Sequence, residues 1–229
     1  MNTPENNHTT GILGGLGPDT TAHFYLNLIR QASRKARPAV CIWSLPLDLQ
    51  KEAEFIAAGK HTDHYLELLK DGAHRLERAG CTEIVMPCNT VHEFHPTLLE
   101  EVSIPFPNLI EIVAGELTAR GWARVLLLAT SRTVATNLYQ NAISGSSVNF
   151  VVPDPKDQKR LDLLIQAILS DKKKNKRKHK AFLAELMEKA GTEKVLLGCT
   201  DLQLVIAPSE TVVDSMECLV KHTVNKILS

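Results

Sequence analysis

The sequence has no excess of charge of either sign, because 26 acidic residues balance 26 basic ones among its 229 residues. No overall field therefore favours nucleic acid or an anionic membrane. The chain also lacks any apolar run close to the roughly 18 residues that a membrane helix needs. Its first ten residues, MNTPENNHTT, contain no apolar segment, which argues against a secretion signal. These absences predict a soluble protein that binds neither nucleic acid nor a membrane.

Cysteine pairs of the C-x-x-C kind are missing as well, and the five cysteines are an odd number at wide spacing. A secreted disulfide scaffold would carry an even, denser set, so reduced thiols in the cytoplasm fit the sequence better. With 44% hydrophobic residues, the chain can bury a core as one large domain or as two small ones.

Segments with the patterns of strands and helices alternate along the chain. The strand-like runs are 11–15, 39–45, 82–87, 123–130, 149–153 and 194–200, and the helix-like runs are 16–29, 64–80, 131–143, 159–169 and 180–191. This alternation predicts the α/β class, with mostly parallel sheets flanked by helices.

An internal repeat divides the chain into two halves. AGCTEIVMPCNT and AGTEKVLLGCTD each place a cysteine nine positions after the alanine of an Ala-Gly pair, and Cys88 and Cys199 lie 111 residues apart. We therefore expect two pseudo-symmetric lobes, 1–108 with Cys88 and 109–208 with Cys199. A C-terminal helix over 209–229 should pack back on the first lobe, and the active site should lie in the cleft between the lobes.

Two thiols at equivalent strand ends suit one chemistry in particular. Ligands bind beyond the carboxyl ends of parallel strands, so the two cysteines should face each other across the cleft. One thiolate can then remove a proton from a carbon while the opposite thiol protonates the other face. Asn89, Thr90 and Thr200 follow the cysteines directly and could hold a substrate carboxylate.

Most free cysteines simply pack as small hydrophobic residues. The remaining ones lack the repeated context, so Cys41, Cys81 and Cys218 are assigned to packing. If Cys88 and Cys199 also served only in packing, their matching positions in the repeat would be unexplained.

The segments GILGGLGPDTTAHFY, MPCNTVH and LLGCTDL resemble the signatures of the aspartate/glutamate racemase family, most closely its aspartate racemase branch, from about residue 10 to the C-terminus. The resemblance implies a two-base racemase that needs no cofactor or metal and is often a homodimer. It also implies that Cys88 and Cys199 are the catalytic bases, that Asn89, Thr90 and Thr200 bind substrate, and that Leu16 touches the ligand.

The sequence departs from this family at the residues that select the substrate. Asp201 stands where the family usually has glutamate, and LDLQKEAEF contains no arginine to bind a side-chain carboxylate. Gln50 and Lys51 are the nearest replacements. An acidic amino acid, with aspartate first, is the expected substrate. Glutamate, hydantoins and maleate-type diacids remain alternatives, and so does a protein that binds a small acid without converting it.

Two other motifs suggest different functions. Cys88, His92 and His95 could belong to a zinc site, although their spacing is not a strong zinc signature. His92 could instead orient or polarise Cys88, or cap its helix. The basic run 172–180 is typical of a solvated surface, with attraction of acidic substrates or a lid as alternatives.

Overall fold

The computed structural model describes residues 8–33, 37–170 and 176–229. The first half of the chain contains β1 (Thr9–Gly14), α1 (Pro18–Ala32), β2 (Ala39–Ser44), α2 (Leu49–Ala58), α3 (Thr62–Arg78), β3 (Glu83–Val85), a 3-10 turn (Thr90–Phe94) and α4 (His95–Glu101). The second half contains α5 (Leu109–Ala119), β4 (Arg124–Leu128), α6 (Ser131–Ala135), α7 (Leu138–Ala142), β5 (Asn149–Val151), α8 (Pro155–Leu169), α9 (Lys176–Ala190), β6 (Val195–Leu197), a 3-10 turn (Thr200–Leu204), β7 (Val212–Asp214) and α10 (Ser215–Leu228).

The strands form two parallel sheets. The first sheet has the order β2-β1-β3 and the second has the order β5-β4-β6-β7. In both sheets the first strand lies in the centre, the second lies on one side, and the third, which leads to a cysteine, lies on the other. The α/β class with two parallel sheets flanked by helices is therefore confirmed, and the shared strand order explains the sequence repeat.

One apolar core joins the two sheets. It contains Ile12 and Phe24 from the first half together with Leu127 and Leu196 from the second, and all four are fully buried. α10 packs against both α1 and α5 and adds Met216 to this core. The shared core therefore packs the two sheets directly against each other.

The predicted helix over 131–143 is interrupted. It consists of α6 and α7, which are separated at Asn137, a residue with a left-handed φ of 53°. Asparagine tolerates this conformation better than most residues do, so the chain can turn there at small cost.

The C-terminal helix begins at Ser215, not at the expected 209. Val212, Val213 and Asp214 pair with β6 as a fourth strand, and the Asp214 side chain then caps the helix by accepting a hydrogen bond from the Met216 N–H. The buried face of this helix is formed by Met216, Leu219, Val220, Thr223, Val224 and Ile227.

Part of the basic run 172–180 lies outside the described residues, which resume at Lys176 with the start of α9. Within the described ranges, no helix has the length and apolarity that crossing a membrane requires.

Candidate active site

Cys88 and Cys199 follow the ends of β3 and β6, and both thiols line one cavity between the two sheets. Leu16 and Thr90, two of the other residues expected at the site, line it as well. The cavity leaves only about 20 Å³ for the centres of water-sized molecules, which is room for about one water. The two halves are therefore closed on each other, and a substrate needs them or the covering helices to move apart.

The cavity wall combines apolar and polar groups. Its apolar side chains are Leu16, Phe55, Ile56, Val91, Ile165 and Leu169, and its polar ones besides the thiols are Glu52, Tyr65, Thr90, Thr130 and Asp201. Lysine and arginine are absent from this lining among the described residues.

The glycine-rich loop after β1 carries the first half close to the second. Gly17 has a φ of 100°, and a Cβ atom added there would lie 2.7 Å from the Asp201 Oδ1 atom. Only glycine permits both this conformation and this approach. The loop thereby places Leu16 in the cavity wall.

The residues directly after each cysteine join the two halves. The Thr200 hydroxyl donates to the Pro87 carbonyl at 3.1 Å. The Asn89 side-chain amide donates to the Ser215 hydroxyl at 2.9 Å and accepts from the Tyr139 hydroxyl. Both side chains are buried and hydrogen-bonded within the protein, so the structure places Asn89 and Thr200 behind the cavity wall and not in its lining.

Thr90 and Asp201, two positions after each cysteine, also form hydrogen bonds to the opposite half, but one is a hydroxyl and the other is an acid. The Thr90 hydroxyl lies 3.1 Å from the Thr130 hydroxyl, and Thr133 donates to Thr90 at 3.2 Å. In the other half, Asp201 accepts a hydrogen bond from the Thr20 hydroxyl. Each side chain thus reaches the segment that follows the first strand of the opposite sheet, but one is a neutral hydroxyl and the other is an acid.

Asp201 also contacts one of the candidate bases. The Cys199 thiol donates to its Oδ2 atom at 3.7 Å. Burial raises the pKa of Asp201 to about 6, and the hydrogen bonds from Thr20 and Cys199 oppose that rise. The carboxylate form therefore predominates at neutral pH and can accept the thiol proton.

Both thiols are held in their neutral form in the closed cavity. Burial raises the pKa of Cys88 to about 12, although the Val91 and Thr90 backbone N–H groups favour its thiolate. The pKa of Cys199 is raised well above its usual value by burial and by the charge of Asp201. Forming a thiolate thus requires a nearby positive charge or a proton acceptor.

His92 has a structural contact with Cys88 and does not face its thiol. Its Nδ1 lies 2.6 Å from the Cys88 carbonyl oxygen, and its Nε2 accepts from the Leu109 N–H at 3.1 Å. Burial lowers the pKa of His92 to about 3, so the imidazole is neutral and donates through Nδ1. His95 lies 2.7 Å from the Phe106 carbonyl. These contacts occupy the two imidazoles considered for a metal site.

Gln50 and Lys51 lie at the start of α2, and neither lines the cavity. Their backbone N–H groups bond to the capping Asp48, and the Gln50 side chain donates to Glu54. The residues of this helix that line the cavity are Glu52, Phe55 and Ile56, and the sequence reasoning missed all three.

A helical pattern and the repeat could have found two of the missed residues. Glu52 shares the buried face of α2 with Phe55 and Ile56, at spacings of three and four. Thr130 follows β4 as the glycine-rich loop follows β1, so matching the two halves would have placed it at the cavity.

The fold and the cavity define a class: two-lobed α/β proteins with a pair of thiols at the junction of the lobes. A model of the family described as Asp/Glu/Hydantoin racemase matches residues 13–223. The chain therefore belongs to this family, and it is an enzyme of the isomerase class.

Relatives and solved structures agree with this assignment. The chain is 27% identical over 232 residues to the broad specificity amino-acid racemase RacX of Bacillus subtilis, covering 96% of this chain and 98% of that one. It is 28% identical to PH1733, an aspartate racemase homologue from Pyrococcus horikoshii, with a TM-score of 0.74 and coverage of 96% and 99%. The fold also matches Picrophilus torridus aspartate racemase at a TM-score of 0.79 and 24% identity, covering 96% and 94%.

Proposed function

We propose that the protein racemises an amino acid by a two-base mechanism in which Cys88 and Cys199 are the bases, without pyridoxal phosphate. The observation that carries this proposal is that thiols from equivalent positions of the two sheets line one cavity. Membership of a racemase family gives such a pair a natural role, because stereoinversion needs one acid/base group on each face of the carbon.

The proposed reaction moves one proton on each face. One cysteine thiolate takes the proton from Cα, and the C–H electron pair passes into the substrate carboxylate as an enolate forms. The opposite thiol then delivers its proton to the other face of Cα, and that cysteine becomes the thiolate. When Cys199 is the base, its thiol proton first passes to Asp201, which leaves the thiolate that takes the Cα proton; when Cys199 is the acid, its proton goes to Cα. The substrate ammonium favours the thiolate form of whichever cysteine acts as the base.

The enolate needs hydrogen-bond donors on its oxygens. The Thr90 and Thr130 hydroxyls line the cavity and form a mutual hydrogen bond, so they can turn towards a bound carboxylate. Asn89 and Thr200, which were expected to bind the carboxylate, are proposed to act indirectly. Their hydrogen bonds across the junction hold Cys88 and Cys199 at the spacing that the transfer requires.

Aspartate as the substrate remains a prediction from the resemblance. Its side-chain carboxylate would need a cationic partner, and the cavity lining in the described residues offers Glu52 and Asp201 instead. We therefore propose amino-acid racemisation as the function and treat the side chain as a separate question.

The first experiment is proton NMR of amino acids in D₂O with the enzyme and no added cofactor. We expect loss of the Cα–H signal together with formation of the opposite enantiomer. Early in the reaction the product should carry deuterium at Cα while the remaining substrate does not. The product receives its deuterium from the opposite thiol, which has exchanged with D₂O. Equal labelling of substrate and product would indicate a single base and contradict the two-base mechanism.

Substitution of the two thiols tests the assignment directly. Cys88→Ser and Cys199→Ser should each lower the racemisation rate by roughly 10²–10⁴-fold, the usual contribution of a general acid or base. Cys41→Ser, in β2 and outside the cavity lining, is the matched control and should keep wild-type activity. A Cys88 or Cys199 variant with an unchanged rate would remove that cysteine from the mechanism.

A further inference from the structure

Glu52 is an acidic side chain in an unusual place. It projects from α2 into the cavity that the two thiols share, and only 9% of its surface is exposed. Within the described residues, its carboxyl group has neither a hydrogen bond nor an ion pair. Burying an acid without a partner is unfavourable, so such a group points to a ligand that supplies the partner.

A second polar group in the same wall is also unpartnered. The Tyr65 hydroxyl is buried and has no hydrogen-bond partner in the described part of the chain. The pKa of Tyr65 is raised by burial and then by the charges of Glu52 and Cys88, so the hydroxyl remains a neutral group near both. Glu52 and Tyr65 together present oxygen atoms to whatever occupies this end of the cavity.

A groove continues outward from Glu52. It lies between α2 and α8, has a volume of about 290 Å³ and shares Glu52, Ile56 and Leu169 with the thiol cavity. The inner cavity holds little more than one water, whereas the groove has room for a chain of several methylene groups. Ile56 and Leu169 offer this chain apolar contact on both sides.

Building on the proposed function, we propose that the substrate is an amino acid whose long aliphatic side chain ends in a cation, with Glu52 as its specificity-determining partner. Cα lies between Cys88 and Cys199, the methylene groups lie against Ile56 and Leu169, and the terminal ammonium or guanidinium pairs with Glu52. A carboxylate in the same place would face Glu52 with no cation to offset the repulsion. The lack of an arginine in the segment LDLQKEAEF fits a site that prefers a cationic side chain to an anionic one.

The protonation of Glu52 is consistent with this pairing. Burial raises its pKa to about 7, and the charge of Asp201 adds to that rise. A cation in contact with the carboxyl group favours the ionised form and therefore offsets part of the cost of burying it.

The test compares substrates of matched shape on the full enzyme. Cα deuterium exchange is measured with L-lysine, L-norleucine and L-aspartate for the wild type, Glu52→Gln and Glu54→Gln. Norleucine has the same stem as lysine without its charge. Glu54 lies on the same helix but bonds outward to Gln50, Lys60 and His61, so its variant is the matched control.

We expect lysine to exchange faster than aspartate in the wild type. Glu52→Gln should lower kcat/KM for lysine by about 30-fold or more, mainly through KM, because it removes one partner of a buried charge pair. The same variant should lower norleucine exchange much less than lysine exchange, so the ratio of the two rates separates loss of the cation's partner from any general effect on folding or on the thiols. Glu54→Gln should leave lysine exchange unchanged.

Three results would overturn the inference in distinguishable ways. Aspartate exchange faster than lysine exchange would reject the cationic substrate and leave the racemase in place. Lysine exchange that Glu52→Gln does not weaken would reject the role of Glu52. Absence of exchange with every amino acid tested would reject the proposed function and this inference together.

Discussion

At the scale of single residues, the approach of Gly17 to Asp201 connects the glycine-rich loop with a candidate proton acceptor. Gly17→Ala would place a methyl group 2.7 Å from the Asp201 Oδ1 atom and force a φ of 100° on a residue with a Cβ. We expect the free energy of unfolding to fall by roughly 2–4 kcal/mol, from backbone strain and crowding together. Urea denaturation measures this change.

Gly121→Ala separates the effect of backbone strain from the effect of crowding against Asp201 in the Gly17 substitution. Gly121 also has a positive φ, 64°, but no atom lies within 4 Å of the added Cβ. Its substitution should therefore cost only about 1–2 kcal/mol, the penalty of the left-handed conformation. Racemisation should fall in Gly17→Ala alone, because only that change displaces Asp201. Equal losses of stability in both variants would show that the close approach is unimportant.

The repeat is the sequence signal that points to the two thiols. Cys88 and Cys199 could be singled out because the same segment occurs twice, and the structure brings both to one cavity. Glu52 has no counterpart in the repeat, and its role depends on which face of α2 turns inward. Asn89 and Thr200 have the right side chains for binding a carboxylate, but only the packed structure shows that other partners occupy them.

At the scale of elements, His92 links the segment after β3 to α5. Its imidazole bonds to the Cys88 carbonyl and accepts from the first N–H of α5. His92→Leu would leave both buried backbone groups without a partner, so we expect a loss of roughly 2–4 kcal/mol in the free energy of unfolding. His64→Leu is the control, since His64 lies on the exposed side of α3 and should change stability little.

The protonation of His92 gives a separate check on the same link. An imidazole with a pKa of about 3 stays neutral throughout the pH range in which histidines ordinarily titrate. Its NMR signals should therefore not shift between pH 5 and 8. A normal titration would show that Nε2 is free to take a proton, and the bond to the Leu109 N–H would then be wrong.

Helices and strands could be predicted from the sequence where their apolar residues form a clear pattern. The apolar runs before each cysteine predicted β3 and β6, and the helix-like run 64–80 predicted α3. β7 was missed because Val212, Val213 and Asp214 are too few to show a period and become a strand only beside β6. α2 was missed because its buried face carries an acid, Glu52, where a hydrophobic residue would complete the pattern.

At the scale of the whole molecule, the buried acid that we assign to substrate recognition should weaken the free protein. Glu52 has a pKa of about 7 in the fold, raised first by burial and then by Asp201. The folded protein therefore keeps a proton at pH values where the unfolded chain has lost it. The contribution of Glu52 to the free energy of unfolding is thus full below about pH 4.5 and declines as the pH rises towards 7.

This dependence can be isolated by comparing unfolding curves of wild type and Glu52→Gln at pH 5 and pH 8, because the other titratable groups, such as His92 and Asp201, are present in both proteins and their contributions largely cancel in the comparison. Relative to wild type, the variant should gain roughly 2–3 kcal/mol between these pH values, as expected for a carboxyl group whose pKa rises from 4.5 to about 7 on folding. Glu54→Gln should run parallel to wild type over the same range. Parallel curves for Glu52→Gln would show that the carboxyl group is already solvated or paired.

Adding lysine at pH 8 should reduce the difference in stability between wild type and Glu52→Gln, since a bound cation supplies the partner that the free enzyme lacks. If the negative charge of Glu52 lowers the stability of the free enzyme and bound lysine restores it, the same carboxylate accounts for the preference for a cationic substrate.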